Sequence, residues 1–419
     1  MPHESIPTTP RWWWTVLHVP SFETRLVTTP VESFAPASGH TVRYRRVVGE
    51  LWTSAQRQSC AIHEISYRAC FKPEVPRYFI ERFSREGDVI YDPFMGRGTT
   101  VLESVLLKRR GIGNDINPLS VILTQGRLPI PDKDSLEARL RAIPLRKNRK
   151  AEIDLSMFYH RHTEGELVSL KRYLQLRNER GEEDAIDRWI RMVATNRLTG
   201  HSPGFFSVYT LPPNLATSPS DQRRINRVRR QKPAYRDVRA LIMRKSMRIL
   251  RRLTEHETNI LSEASTGFRL LTRDARSTPE IGDESVQLTV TSPPFLDIVQ
   301  YAKDNWLRCW FNGIPRDEMQ KSVSMIRDLR EWSNAMLDVL KELYRITKPG
   351  GHVAFEVGEV RKQSIHLDEI IAPVGETAGF RCEKILVNQQ NFTKTSNIWG
   401  ISNNRHGTNS NRIVLFSKR

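Results

Sequence analysis

Tyr91-Asp-Pro-Phe-Met-Gly-Arg-Gly-Thr-Thr100 closes a short apolar run, Asp88-Val-Ile-Tyr91, and opens a helical stretch from Thr99 to Lys108. A strand that stops at a glycine turn and restarts as a helix is the first half of a βαβ unit, and Gly111 to Asn114 supplies the second strand. In a doubly wound sheet, ligands bind at the carboxyl ends of strands, where this loop falls. Gly96 and Gly98 let the backbone approach a ligand closely, and Asp115, about twenty residues on, brings a carboxylate that can accept both hydroxyls of a ribose. The third glycine of a dinucleotide fingerprint would fall at Val101, which argues against a nicotinamide or flavin enzyme.

Outward from this unit the α/β alternation predicts a helix from Pro73 to Phe83. It then resumes late in the chain, at Phe268–Ala275, Val286–Phe295, a helix from Asp328 to Thr347, His352–Val357 and Asn411–Phe416. The strand with apolar Val286, Leu288 and Val290 ends in Thr291-Ser-Pro-Pro-Phe295. Two prolines cannot donate to a ladder, so the chain must turn out of the sheet there. That turn gathers the Ser292 hydroxyl, the Pro293 carbonyl and the Phe295 ring. Together they can accept hydrogen bonds from an exocyclic amine and stack on the base that carries it.

The 419 residues carry 65 Lys and Arg against 47 Asp and Glu, a net charge of +18. Between Arg223 and Arg252 stand 13 Lys and Arg against one acid, Asp237. Within this stretch Val238, Leu241, Ile242, Ile249, Leu250 and Leu253 recur at helical spacing. A basic amphipathic helix is predicted there, either a solvated face or a surface that tracks phosphates. The sequence divides into an irregular N-terminal arm (1–60) holding Trp12, Trp13 and Trp14, a first α/β segment (61–127), a helical basic insert (128–265) with a linker at Leu211–Ser220, and a second α/β segment (266–419). No apolar run approaches the ~18 residues of a membrane span. The N-terminus lacks a signal-peptide pattern, and Cys60, Cys70, Cys309 and Cys382 form no C-x-x-C pair, so a cytoplasmic protein without a disulfide framework or zinc cluster is expected. His160 and His162 lack Cys or acidic neighbours that would complete a metal site.

The strings DPFMGRGTT, NDINPLS and TSPPF resemble those of the S-adenosylmethionine-dependent DNA amino-methyltransferases, which modify cytosine N4 or adenine N6. ISYRACFKPEVP (Ile65–Pro76), LLTRDA (Leu270–Ala275) and TKPGGHVAFEVG (Thr347–Gly358) are similar to further segments of that family. The resemblance covers residues 60–127 and 266–419. It implies a Rossmann-like methyltransferase fold with a mainly parallel doubly wound sheet, interrupted by the helical insert. It also implies S-adenosylmethionine as cofactor, held by Phe71, Asp92, Pro93, Phe94, Gly96, Gly98 and Thr99, with Asp115 on the ribose and Asp274 near the adenine. Ser292, Pro293, Pro294 and Phe295 would receive the target base, and Ser rather than Asp or Asn before Pro-Pro favours cytosine N4. Double-stranded DNA is the implied partner, with Arg223, Arg224, Arg227, Arg239, Arg244, Lys245 and Arg248 of the insert on its phosphates. A restriction-modification setting with a cognate restriction endonuclease is implied as well.

An exocyclic amine conjugated with its ring is a weak nucleophile, so the site must aim its lone pair rather than form a covalent base adduct. Cytosine C5 chemistry needs a cysteine nucleophile, which the enzymes of that kind place after a proline, whereas Cys60 follows Ser, Cys70 follows Ala, and Cys309 and Cys382 follow Arg. A base inside a duplex reaches such a pocket only by flipping out. Adenine N6 transfer, an RNA base methyltransferase and a catalytically silent DNA-binding protein are the rivals. Tyr301, Trp306 and Trp310 are expected in the core, or one of them at the edge of the base pocket. Asn196, Arg197, His201 and Tyr209 form a polar-aromatic stretch for which loop packing is the default.

Overall fold

The computed structural model describes residues 44–49, 60–67, 72–210, 216–294, 304–315, 328–360, 365–389 and 410–419. The tryptophan cluster, Cys70, Phe71, Phe295, Tyr301 and residues 211–215 of the linker lie outside them.

Ten strands are described: β1 (Arg46–Gly49), β2 (Val89–Asp92), β3 (Arg110–Asn114), β4 (Phe268–Leu271), β5 (Val286–Thr291), β6 (Thr347–Val357), the small pair β7 (Glu359–Val360) and β8 (Ile365–His366), β9 (Arg381–Gln389) and β10 (Ser410–Ser417). Eight of them make one sheet in the order β1-β9-β10-β6-β5-β2-β3-β4. Every pairing in it is parallel except those of β10, which runs antiparallel to both β6 and β9. This is the mainly parallel, doubly wound Rossmann-like architecture expected from the sequence. From β2 the chain steps outward to β3 and β4, then returns to lay β5 on the other side of β2. The switch point therefore falls between β2 and β5, where Asp92 and Thr291 end their strands.

The strands have both faces covered, as a parallel sheet requires. Ile90, Leu288, Val290, Ala354, Ile413 and Leu415 join Val75, Phe79 and Ile80 of α1 (Glu74–Phe83) in one cluster. The alternate residues Tyr91, Val353, Phe355, Val357, Val414 and Phe416 face a different cluster, on α11 (Leu329–Ile346) and α12 (Leu367–Thr377). This period-two split fixes the register, because a slip of one residue would exchange the two faces. Among the elements of the main sheet and its cover, β9, α12 before it, and β1 went unread in the sequence. The latter lies inside the arm expected to be irregular, and it pairs in parallel with β9 at the sheet edge.

Between β3 and β4 lie α3 (Pro118–Gln125), α4 (Lys133–Ala142), α5 (Arg161–Glu179), α6 (Ala185–Arg197), α7 (Pro219–Val228), α8 (Val238–Leu250) and α9 (Glu255–Glu263). Local chemistry starts them: Asp132 accepts from Ser135 N at 2.9 Å, and Thr254 and Glu257 form a capping box. The insert shares one continuous core with α2 (Thr99–Leu106). Val101, Leu102 and Val105 belong to the same cluster as Leu136, Leu170, Trp189, Ile190 and Ile242, while the Trp189 indole donates to Ser246 Oγ at 2.9 Å. α10 (Trp306–Asn312) packs on the same core, with Trp306 and Trp310 partly buried against it as expected. No helix among the described residues is long and apolar enough to cross a membrane.

Candidate active site

The glycine loop is shaped by positive φ at two residues, Gly96 (+50°) and Gly98 (+74°). A Cβ on Gly98 would run into the Thr124 side chain, and one on Gly96 would stand 3.2 Å from the Tyr67 ring. Gly98 caps α2, whose N-terminus therefore faces the loop. Two arginines unremarked in the sequence fasten the loop. Arg97 donates to the Ile65 and His63 carbonyls, and the buried Arg127 donates to the carbonyls of Ile62 and Arg97.

Asp115 sits at the loop's rim. One carboxylate oxygen accepts Gly96 N and the other accepts Asn117 N, both at 2.9 Å. A carboxylate has about four acceptor positions, so with the Ser120 hydroxyl also close by Asp115 keeps acceptor capacity for a ligand hydroxyl. Burial pushes its pKa up. Asn114, also missed in the sequence, holds the floor. Its side chain donates to the Pro93 and Arg273 carbonyls and accepts from Arg273 N, which joins the loops after β2 and β4. Thr99 is buried, with its hydroxyl accepting from Arg97 Nε at 3.1 Å; Phe94 is half-buried at the opening.

Two expected ligand contacts are differently employed. Asp92 was expected beside the cofactor's amino-acid end, but it is 1% exposed and accepts from Thr291 Oγ1 (2.6 Å) and Phe94 N (3.1 Å). It is an internal tie between β2 and β5, and burial pushes its pKa up to about 7 against those hydrogen bonds. Asp274 was expected near an adenine, but its carboxylate is held by the Arg276 guanidinium through both oxygens, at 3.0 and 2.6 Å.

The Ser292 turn stands beside this tie. Pro293 is buried and Pro294 exposed, and the Pro294 carbonyl accepts from the Trp332 indole at 3.0 Å. Ser292 lies beside Glu356, a buried carboxyl near the end of β6 that accepts from Asn411 Nδ2 at 2.6 Å. Burial pushes the Glu356 pKa up to about 7, with Asn411, Ser292 and the nearby Lys72 opposing it. The sequence held no local signal for Glu356, because strand pairing alone brings it to Ser292. Thr100 Oγ1 donates to the Val290 carbonyl, so both motifs are joined at one sheet edge by two hydrogen bonds.

The basic residues of the insert divide. Arg223, Arg224, Arg227, Arg244 and Arg248 are exposed, although Arg223 meets Asp154 at 2.7 Å and Arg224 meets Asp221 at 3.4 Å. Lys245 and Arg239, expected on phosphates, are turned inward. Lys245 is buried against Glu64 at 2.6 Å, and Arg239 donates to the Leu140 and Ile143 carbonyls. A helix that packs by one face must spend some of its cations on the interior. Among the described residues no group of His, Cys, Asp and Glu is placed to hold a metal. His160 instead caps α5 through the His162 amide.

The Type II methyltransferase M.MjaII of Methanocaldococcus jannaschii is 33% identical over 85 residues, 20% of this chain and 16% of that protein. M.MjaI of the same organism is 40% identical over 65 residues, 16% of this chain and 22% of its own length. The chain thus spans about a fifth of the length of these curated relatives. Among solved structures, a SAM-dependent methyltransferase from Methanosarcina mazei aligns over 81% of this chain and 96% of its own, at 10% identity and a TM-score of 0.31. Over residues 31–124, which run from before β1 through the glycine loop to α3, the chain is similar to the N6/N4 methyltransferase family model, described as DNA methylase.

Proposed function

We propose that this protein is an S-adenosylmethionine-dependent DNA methyltransferase that acts on the exocyclic N4 of cytosine in duplex DNA, reached by base flipping. One observation carries the reading. The Thr291 to Asp92 hydrogen bond sets the turn of Ser292 and Pro293 beside the Gly96 and Asp115 opening at the switch point of the sheet. The similarity of residues 31–124 to a DNA methylase family supports it.

The residues present fit the cofactor. Asp115 keeps acceptor capacity for the hydroxyls of a ribose, and Gly96 and Phe94 line the opening. When bound, S-adenosylmethionine supplies an electrophilic methyl group. Asp92 acts indirectly, by holding Thr291 and the Phe94 amide in place. Asp274 keeps its salt bridge to Arg276 in this account, leaving the loop after β4 to be set by Asn114.

In this reading the Ser292 hydroxyl turns its hydrogen toward the neighbouring Glu356, which leaves its lone pairs outward to accept an amine hydrogen. The Pro293 carbonyl provides the second acceptor. Held by two acceptors, the amine nitrogen keeps its lone pair normal to the ring plane, toward an incoming methyl group. The nitrogen must shed a proton as the new bond forms. Ser292 and ionised Glu356 offer it a path, with Glu356 near neutrality in affinity. The exposed Arg223, Arg224, Arg227, Arg244 and Arg248 would contact phosphates, and a modification role beside a cognate endonuclease is part of this reading, which similarity to Type II methyltransferases supports.

The test is to incubate purified protein with methyl-labelled S-adenosylmethionine and unmethylated duplex DNA, then digest to nucleosides for mass spectrometry. N4-methylcytosine is expected. N6-methyladenine would overturn the choice of base, and an unlabelled digest would overturn the reaction.

A further inference from the structure

Three cations converge on one carboxylate beside the candidate site, and two more lie close by. Glu64 accepts Lys245 at 2.6 Å, Arg248 at 3.0 Å and Arg252, with only 8% of its side chain exposed. Arg308 of α10 is buried against the same segment and donates to the Ser66 carbonyl at 2.9 Å. The fifth is Arg197, the last residue of α6. Its guanidinium lies over the Phe205 ring, 4.1 Å from the centroid, and its Nε donates to the Asn196 carbonyl. The charges it senses are Arg248 and Arg308, which repel it, and Glu64, which three other cations already engage.

Arg197 contrasts with the exposed, aspartate-paired Arg223 and Arg224. It is half-buried and rigidly seated, yet among the described residues neither terminal amino group meets an acceptor and no carboxylate lies within ion-pair distance. Partial desolvation and like-charged neighbours drag its pKa down to about 10, whereas Arg223 and Arg224 are exposed and each meets an aspartate. A cation held this way is costly unless an anion completes the site. A planar fork with both amino groups open matches two oxygens of a phosphate.

The placement indicates which anion. Glu64 and Ser66 lead directly to Tyr67, whose ring packs at Gly96 on the cofactor opening. The cluster therefore borders the place where a strand must come close for one of its bases to enter.

We propose that Arg197, seated on Phe205 and backed by Arg248, is a phosphodiester-binding fork that grips the substrate strand beside the flipped nucleotide. The proposal rests on the reading of this chain as a DNA-modifying enzyme, and it assigns the substrate grip to a residue outside the exposed face of α8.

The experiment measures binding of a short duplex to the full-length protein by fluorescence anisotropy across a salt series, for wild type, Arg197→Gln, Arg197→Lys and Arg248→Gln. Arg197→Gln should weaken binding about tenfold, the loss of one charge-assisted pair, and flatten the slope of log affinity against log salt by about one. Arg197→Lys should restore the slope but only part of the affinity, because it returns the charge without the fork. S-adenosylmethionine affinity by calorimetry should not change. Unaltered duplex affinity and slope in Arg197→Gln would overturn the proposal. Weakened cofactor binding with unaltered duplex binding would also overturn it, by giving the fork to the cofactor's carboxylate. Should Arg197→Gln fail to fold, Arg248→Gln, at an exposed side chain, must still reduce the slope. The nucleoside digest remains separate. Methylation by wild type together with unaltered duplex binding in Arg197→Gln removes the fork alone, and an Arg197-dependent duplex complex without methylation removes the reaction alone.

Discussion

The hydroxyl of Thr291 donates to the carboxylate of Asp92 at 2.6 Å, joining residues 199 positions apart inside the core. Each ends a strand at the switch point, one before the glycine loop and one before the Ser-Pro-Pro turn. The bond makes the geometry of either loop depend on the other.

Asp92→Ala would leave Thr291 Oγ1 and the Phe94 amide without their acceptor in a buried place. A loss of about 1–3 kcal/mol in chemical denaturation is expected, while Asp92→Asn, which keeps one acceptor oxygen, should lose less. Equal stability of Asp92→Ala and wild type would remove the tie.

Burial holds the pKa values of Asp92 and Glu356 near 7, above their unfolded values of 3.8 and 4.5. The unfolded chain then releases these protons at lower pH than the folded one does. Their contribution is intact below the unfolded values and is lost as pH rises from about 4 through 7. Asp92→Asn should accordingly gain stability relative to wild type between pH 5 and pH 8, as read by thermal melts at about those two values. A constant difference would mean that Asp92 ionises normally.

Ser292→Ala should bind S-adenosylmethionine as wild type does yet transfer methyl groups about a hundredfold or more slowly, as expected for loss of one positioned hydrogen-bond partner. Wild-type transfer should rise with pH through about 7 as Glu356 ionises, and Glu356→Gln should flatten that limb. Wild-type kinetics in Ser292→Ala would separate the hydroxyl from the amine.

Gly98→Ala places a Cβ against Thr124 at a residue with φ of +74°. Strain and overlap together should cost about 2 kcal/mol or more and weaken cofactor affinity, read by melting and calorimetry. Full affinity in a stable Gly98→Ala protein would show that the loop adapts.

Lys245→Gln and Arg244→Gln, one residue apart, should fail differently. Lys245 is buried on Glu64, so its loss should lower the melting temperature, whereas exposed Arg244 should leave stability intact and reduce the salt slope of duplex binding by about one. Matching effects from both would place the two side chains on the same face.

The sequence by itself determined the sheet's central strands, the glycine loop, the turn after β5 and the basic helix. Each is written in adjacent residues, as period-two apolar runs, as glycines that must take positive φ and as prolines that end a strand. Asp115 was legible for the same reason, standing directly after a strand. The edge strand β1 was not, since four residues of moderate burial gain strand character only by pairing with β9. Tertiary structure alone decided that Asp92 turns inward to Thr291, that Glu356 backs Ser292, and that Lys245 is spent on Glu64 while Arg197 keeps its fork open. Those roles depend on which side chains meet across the fold and on how much water burial leaves around them. Residue type and spacing along the chain encode neither quantity.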